Sequence, residues 1–412
     1  MRRCEADATA LTVVGASVRA VAESAHRAGW AVHAADLFCD MDLRRIAIDL
    51  VQAAPYPAGL PAIVATFPPG PWLYTGALEN HPHVLDAIAA LRPLAGNRSA
   101  AVRAVRDVAR LAAVVHGCGL SCPETRFDPR DVPADGTFLV KPRAGAGGRG
   151  ISHWHGPTAG GDAAAGSIWQ RHVDGDPWSA AFVSGGGRCR LLGVSRQLTA
   201  TTWSRARGYA YCGSVALSPD DVPDETRADF DRLGDVLANE FRLVGLSGAD
   251  VIVDRRRRIH VLEVNPRPTA SMELLERGSG ESLVTMHLAA CGVAAPPARA
   301  HRSTPLPGIW AKAVIFAASD LWPDGARLER LAGDWSAADG AAALADIPAP
   351  GTAVTAGSPL LTLFARATAA DEAIRLLRCR AAAVDAALAG ASVSRPVAAA
   401  DSPRRRHRGS SA

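Results

Sequence analysis

The chain has 412 residues, 48% of them apolar, and a formal net charge of +4 from 45 Lys plus Arg against 41 Asp plus Glu. That length accommodates roughly two to four domains, the composition is that of a globular rather than a disordered chain, and the dispersed charge gives little reason to expect a nucleic-acid partner. Eight scattered cysteines fit a reducing compartment, and no window reaches the roughly 18 apolar residues of a membrane span, so a soluble, cytoplasmic protein is expected.

The first hundred residues alternate strand and helix signals. The run "LTVVGAS" reads as a strand, an amphipathic stretch follows to His26, and "WAVHAADL" reads as a second strand, which together open a parallel α/β layer. A single Gly in "VGASVRA" falls short of a dinucleotide-binding turn. "PAIVATF" reads as a further buried strand. The Gly/Pro-rich "PPGPWLYTGALEN" after it is a loop where a ligand crevice is expected, making Tyr74, Glu79 and Asn80 substrate-side candidates, although a loop that only packs is an equal reading.

Residues 98–117 read as one helix, stopped by Gly117, Gly119 and Pro123. The pattern then turns strand-rich through "GTFLVKPR", "GISHWH", "SIWQRHV", "WSAAFVSG" and "RCRLLGVSRQL". A helix over about 223–241 leads to "SGADVIVD" and "RIHVLEVN", joined by a turn at 254–258. A Pro/Ala-rich linker, the strand "GIWAKAVIFAA" and a small α/β segment to about 390 follow. The run "PRRRHRG" at 403–409 reads as part of a solvated, disordered tail. Cys118 and Cys122 could meet on one helical turn, but no second Cys/His pair completes a zinc site.

Two features carry chemistry. Lys occurs at only two of the 45 cationic positions, Lys141 and Lys312. Lys141 ends a strand directly before Gly145, Gly147, Gly148 and Gly150, a loop whose bare N–H groups can close over an anion. A compact ammonium on a thin stem suits phosphate oxygens in a narrow groove better than a planar guanidinium does. The second feature is "SGADVIVDRRRRIHVLEVNPRP", in which strand alternation makes it plausible that Asp250, Glu263 and Asn265 share a sheet face. Two carboxylates and an amide oxygen are hard donors that suit Mg²⁺ bridged to nucleotide phosphates. Lys312, in an apolar strand, either reaches the site acids or partners a buried acid.

These motifs, in this order and at these separations, resemble the ATP-grasp superfamily over roughly residues 1–290, and the last segment looks like the C-terminal portion of ligases related to biotin carboxylase. Carboligase-like ATP-grasp proteins, some associated with methylotroph and methanogen pterin-cofactor metabolism, look closest. The resemblance implies α/β and α+β architecture: an N-terminal parallel α/β domain (1–97), a helix with a small antiparallel lid (98–185), a mixed-sheet metal-binding subdomain (186–295), a C-terminal α/β segment (296–392) and the tail (393–412).

It also implies ATP with Mg²⁺ or Mn²⁺. Lys141 would contact phosphates beneath the lid glycines 145, 147 and 148. Gln170, Arg171 and Val173 would meet adenine, and Asp250, Glu263 and Asn265 would hold the metal. Arg267 would face the transferred phosphate or the acid substrate. Three departures stand out. Pro177 occupies the place of the ribose-binding acid, so Asp174 or Asp176 must serve. The helix before the lid offers Arg103, Arg106 and Arg110 in place of a second phosphate Lys. Gly248 stands where some relatives have Arg, a charge Arg196 could supply. The implied activity is ligation of a carboxylic acid to an amine through an acyl phosphate, in a protein expected to pair as a homodimer. A carboxylase, a phosphotransferase and a catalytically reduced ATP-binding regulator are the alternatives; no biotin-attachment sequence is present.

Overall fold

The computed structural model describes residues 9–157, 166–296, 305–339 and 341–389. Cys4, the basic 403–409 run and the rest of the tail lie outside the described residues. Strands β1 (Ala10–Val14), β2 (Ala31–Asp36), β3 (Asp49–Gln52) and β4 (Trp72–Tyr74) form a parallel sheet in the order β3-β2-β1-β4. All five residues of β1 are buried, as expected where helices cover both faces of a parallel sheet. "PAIVATF" is not a strand: Leu60–Ala65 is a helix, with proline in its first turn, where the missing N–H costs nothing. Helix 98–117 is two helices, Ser99–Arg106 and Val108–Gly117, broken at Asp107, whose carboxylate accepts from Arg110 N at 3.1 Å as an N-cap.

A small antiparallel sheet follows, with β5 (Thr125–Arg126), β6 (Phe138–Pro142), β7 (Ser152–His153) and β8 (Ser167–Arg171) in the order β5-β8-β6-β7. It closes over its own cluster of Val132, Phe138, Trp154 and Trp169. The remaining strands build one eight-stranded sheet: β9 (Asp176–Gly185), β10 (Arg188–Thr199), β11 (Tyr211–Ala216), β12 (Gly245–Val253), β13 (Ile259–Asn265), β14 (Ile309–Phe316), β15 (Leu344–Ala345) and β16 (Pro359–Ala367), in the order β13-β12-β9-β10-β11-β14-β16-β15. These strands pair antiparallel, and an isolated parallel bridge from Ser121 to His260 adds mixed character at the β13 edge.

Two of the expected boundaries move. Residues 176–185, grouped with the lid, form a central strand of the large sheet, and β14, β16 and β15 extend that sheet instead of standing apart as a C-terminal unit. The helix Asp224–Glu240 covers one face, setting Phe230, Leu233 and Leu237 against Trp178 and Phe182. Each such side chain contributes roughly 1.5–3 kcal/mol by leaving water.

A buried ionic cluster ties the first domain to both parts of the large sheet. Arg19, 2% exposed on the helix Arg19–Arg27, bonds to Glu273 and, at 2.9 Å through Nε, to Asp346. Lys312 Nζ donates to Glu273 Oε2 at 3.2 Å, and Arg277 reaches Glu273 Oε1 at 3.3 Å. Burial alone would raise the Glu273 carboxyl, but Arg19, Lys312 and Arg277 hold it well below the usual range. Burial lowers the Lys312 ammonium despite Glu273 beside it.

Candidate active site

A cleft of about 420 Å³ opens between the small sheet and the large one. Lys141, Gly145, Gly147, Gly148, Gln170, Arg171 and Val173 line its lid side, and Asp250, Glu263, Asn265 and Arg267 line its floor. Register explains the floor. Asp250 pairs directly with Glu263 across β12 and β13, and Asn265 lies two residues beyond Glu263, so all three share one face. Asn265 Nδ2 donates to Asp250 Oδ2 at 3.0 Å, and Gln197 Nε2 donates to Asp250 Oδ1 at 2.7 Å. Burial, and then the Glu263 charge, push Asp250 up to about 7.

On the lid side, Lys141 Nζ donates to Gln170 Oε1 at 3.0 Å across the β6–β8 pair, where Lys141 opposes Ile168 and Leu139 opposes Gln170. The glycine loop lies down on the body of the protein. Tyr211 N donates to Gly147 O at 3.0 Å, and at Gly148, φ +72°, a Cβ would sit 2.0 Å from Tyr209 O. Only glycine allows that contact. Tyr209 Oη also lies 2.9 Å from His153 Nε2 on β7. His153, His155 and His172 form a ring cluster on the lid, and among the described residues no group of three or more His, Cys, Asp and Glu side chains is arranged to hold a metal.

Several expected site residues stand elsewhere. Arg196 does not line the cleft: it opposes Trp178, whereas Ser195 opposes Ser179 beside Asp250, so alternation turns Arg196 to the other face, where its nearest acid is the exposed Asp371 at 4.0 Å. Its neighbour Gln197 takes the site-facing place. Lys312 is also absent from the wall and serves as the partner of buried Glu273, the second of its two readings. Tyr74 is 2% exposed and donates its hydroxyl to Asn97 O at 2.9 Å and Pro266 O at 3.2 Å, so it props the loop before Arg267 instead of meeting a ligand. Glu79 is buried beneath Arg267, accepting from its Nη2 at 2.6 Å. Asn80 bonds the lid loop at Gly145 O, 3.3 Å, and accepts from Arg106. Asp174 and Asp176 line a shallow rim hollow with Asp254 and Arg257, outside the main cleft. An Arg at Gly248 has no room, because even a Cβ there would come within 2.6 Å of Thr269 Cγ2.

Sequence reasoning missed Gln197, Tyr209, Tyr211, Thr269 and Ser271, all of which line the cleft. Strand alternation from Ser195 could have found Gln197; nothing local marks Tyr209. Of the three arginines on the helices before the lid, Arg106 lines the cleft, while Arg103 lies 3.6 Å from Asp86 and Arg110 stacks over Phe241.

An antiparallel lid carrying a glycine loop and a lysine thus closes over an antiparallel floor with paired acids. Residues 106–271 match the family model of the ATP-grasp domain. Among solved structures the chain is similar to N5-carboxyaminoimidazole synthetase from Staphylococcus aureus complexed with ADP (TM-score 0.62, 13% identity, 90% of this chain and 97% of that one). It is also similar to L-amino acid ligase from Bacillus licheniformis (TM-score 0.63, 13% identity, 90% and 96%) and to biotin carboxylase from Campylobacter jejuni (TM-score 0.62, 14% identity, 89% of each). No curated protein sequence matches the chain. Among the described residues no helix is long and apolar enough to cross a membrane.

Proposed function

We propose that this protein is an ATP-dependent ligase that activates a carboxylic acid as an acyl phosphate and joins it to an amine. The observation that carries the reading is the convergence of Lys141, Asp250, Glu263, Asn265 and Arg267 on one cleft beneath a glycine loop. A cationic lid side chain facing hard oxygen donors is the arrangement phosphoryl transfer needs, since that reaction runs largely on positioning and on stabilisation of charge on the transferred group. The likeness in fold to an L-amino acid ligase supports it.

Asp250, Glu263 and Asn265 would hold Mg²⁺, or Mn²⁺ in its place. The donor set fits: its two acids repel one another when both are charged, and it supplies too few oxygens for an all-protein cage, leaving places for phosphate oxygens and water. The ion would supply charge neutralisation at the phosphates. Lys141 and Arg106 would grip phosphate oxygens from the lid side. A substrate carboxylate oxygen, oriented by Arg267, attacks the γ-phosphorus; the bond to the bridging oxygen breaks and ADP leaves. The amine nitrogen then attacks the acyl carbon, expels inorganic phosphate and loses a proton. Val173 and the buried Gln170, on the cleft wall beside Lys141, would border adenine, and the lid would keep water from the acyl phosphate.

Burial of Glu79 under Arg267 keeps that arginine ionised: desolvation works against its charge, but Glu79 carries it above its usual value. The expected partners are therefore a small acid and a small amine, with no nucleic acid or membrane, in a cytoplasmic homodimer. The test is ADP release over a matrix of acids, bicarbonate included, and amines. Release that requires both an acid and an amine supports the ligase. Release with bicarbonate alone would make it a carboxylase-type enzyme, and nucleotide binding without release under any pair would make it a regulator.

A further inference from the structure

The turn Leu78–Asn80 directly follows β4 and is entered through Ala77 at φ 75°. It presents two neighbouring side chains to two different parts of the site. Glu79, with a side chain 2% exposed, reaches under the floor, where its Oε1 accepts from Arg267 Nη2 at 2.6 Å. The same Nη2 also donates to Asn265 Oδ1 at 3.1 Å, Nη1 donates to Pro268 O at 3.0 Å, and the guanidinium lies over Gly76, where a Cβ would stand 3.4 Å from Arg267 Cζ. Glu79 Oε2 and Arg267 Nε, both buried, have no hydrogen-bond partner among the described residues, so the pair is a fork with one tine engaged. Asn80 reaches the other way. Its Nδ2 donates to Gly145 O at 3.3 Å in the lid loop, and its Oδ1 accepts from Arg106 Nη2 at 2.8 Å, while the same Nη2 also donates to Arg143 O at 3.2 Å.

We propose that the Leu78–Asn80 turn couples the lid to Arg267. Glu79 is a positioning residue that aims the guanidinium, Asn80 positions the lid loop in its closed place, and because the two are adjacent in one short turn, displacing either shifts both. Glu79 then contributes to turnover without touching substrate, which sets it apart from the substrate ligand expected from sequence. The kinetic part of this inference rests on the ligase reading; the lid part does not.

The experiment uses the full-length protein with E79Q, E79D and N80A. Arg143 and Arg149 are exposed in the lid loop and are trypsin sites that report its opening. N80A removes one lid hydrogen bond and is expected to speed nicking there about fivefold, in the presence or absence of ADP. E79Q touches no lid residue, yet coupling requires it to speed nicking about threefold, with E79D near wild type. In steady-state ADP release with a productive acid and amine, E79Q is expected to lower kcat about tenfold or more with KM for ATP unchanged, and E79D to recover most of it. Nicking and kcat of E79Q within twofold of wild type overturn the coupling while leaving the ligase intact. Should wild type bind ADP but release none from ATP with any pair, the ligase reading fails and the nicking comparison still decides whether the turn transmits to the lid.

Discussion

Gln197 and Asp250, on strands that flank β9 from opposite sides, are joined by a hydrogen bond of 2.7 Å that passes over Ser179. Gln197 therefore orients the less exposed of the two floor carboxylates. Replacing Gln197 by Ala is expected to weaken Mg²⁺ affinity about 10–100-fold, the usual cost of losing a partner behind a ligand. Asp250→Asn is expected to stop ADP release, as is chelation by EDTA, with recovery on adding Mg²⁺ only in the chelated wild type. Metal titration monitored by ADP release checks all three, and metal-independent release by wild type would contradict the assignment.

Lys141 and Lys312 separate cleanly. Lys141→Met is expected to weaken ATP binding about 10–100-fold, the loss of one charge-assisted phosphate contact. Lys141→Arg is expected to recover less than a third of that loss, because a planar guanidinium does not present the compact point charge of an ammonium to phosphate oxygens. Calorimetric titration with ATP decides it; an Arg variant that binds like wild type would show that charge alone suffices.

Lys312→Met is expected to lower stability by about 1–3 kcal/mol while leaving nucleotide affinity unchanged, since Arg19 and Arg277 still face Glu273. Urea unfolding and ATP titration on the same preparation measure the two effects. A large loss of affinity without loss of stability would put Lys312 back in the site.

Gly148→Ala puts a Cβ into Tyr209 O and asks a β-carbon to accept φ +72°. The lid is expected to stand open, with ATP affinity down about tenfold and the fold intact, because the cost falls on lid closure and amounts to about 1–2 kcal/mol. Gly147→Ala meets no atom within 4 Å and is the control that carries the backbone strain alone.

His287, 1% exposed, accepts from Leu246 N at 2.8 Å through Nδ1 and donates from Nε2 to Ala95 O at 3.0 Å, a geometry that requires the neutral ring. Burial lowers it from 6.5 to about 4. The unfolded chain takes a proton near the upper value and the folded chain refuses it until the lower one. The His287 contribution is therefore fully present above the upper value, falls with pH between the two, and levels off below the lower. Its full size is on the order of 3 kcal/mol. Urea midpoints across this range should show the slope, and His287→Gln should flatten that part of it.

What could be read in the sequence followed the rules of period and charge. Alternation on β12 and β13 makes a shared face for Asp250, Glu263 and Asn265 plausible, and a lysine before four glycines marks an anion-binding loop. What could not be read needed long-range pairing. Arg196 and Gln197 are adjacent and both polar, and only the register of β10 against β9 says which one faces Asp250. Glu79 reads equally as a ligand and as part of a loop that only packs; that it lies under Arg267, 188 residues away in sequence, is a tertiary fact. "PAIVATF" had the apolar density of a strand, but the proline that starts it belongs to a helix's first turn.

The β11 strand lies between β10, next in its own hairpin, and β14, which is made almost a hundred residues later. A ribosome that has released only the sequence through the helix Met272–Ser279 has every named residue of the cleft in hand and still exposes the open rim of β11, with Arg19 and Glu273 lacking Asp346 and Lys312. Nascent protein in that interval presents an unpaired strand to its neighbours on the polysome, a template for wrong pairing. Expression trials that cut the chain after the matched domain should therefore give aggregates, and slow synthesis across the final third should depend on chaperones more than synthesis of the first two-thirds does.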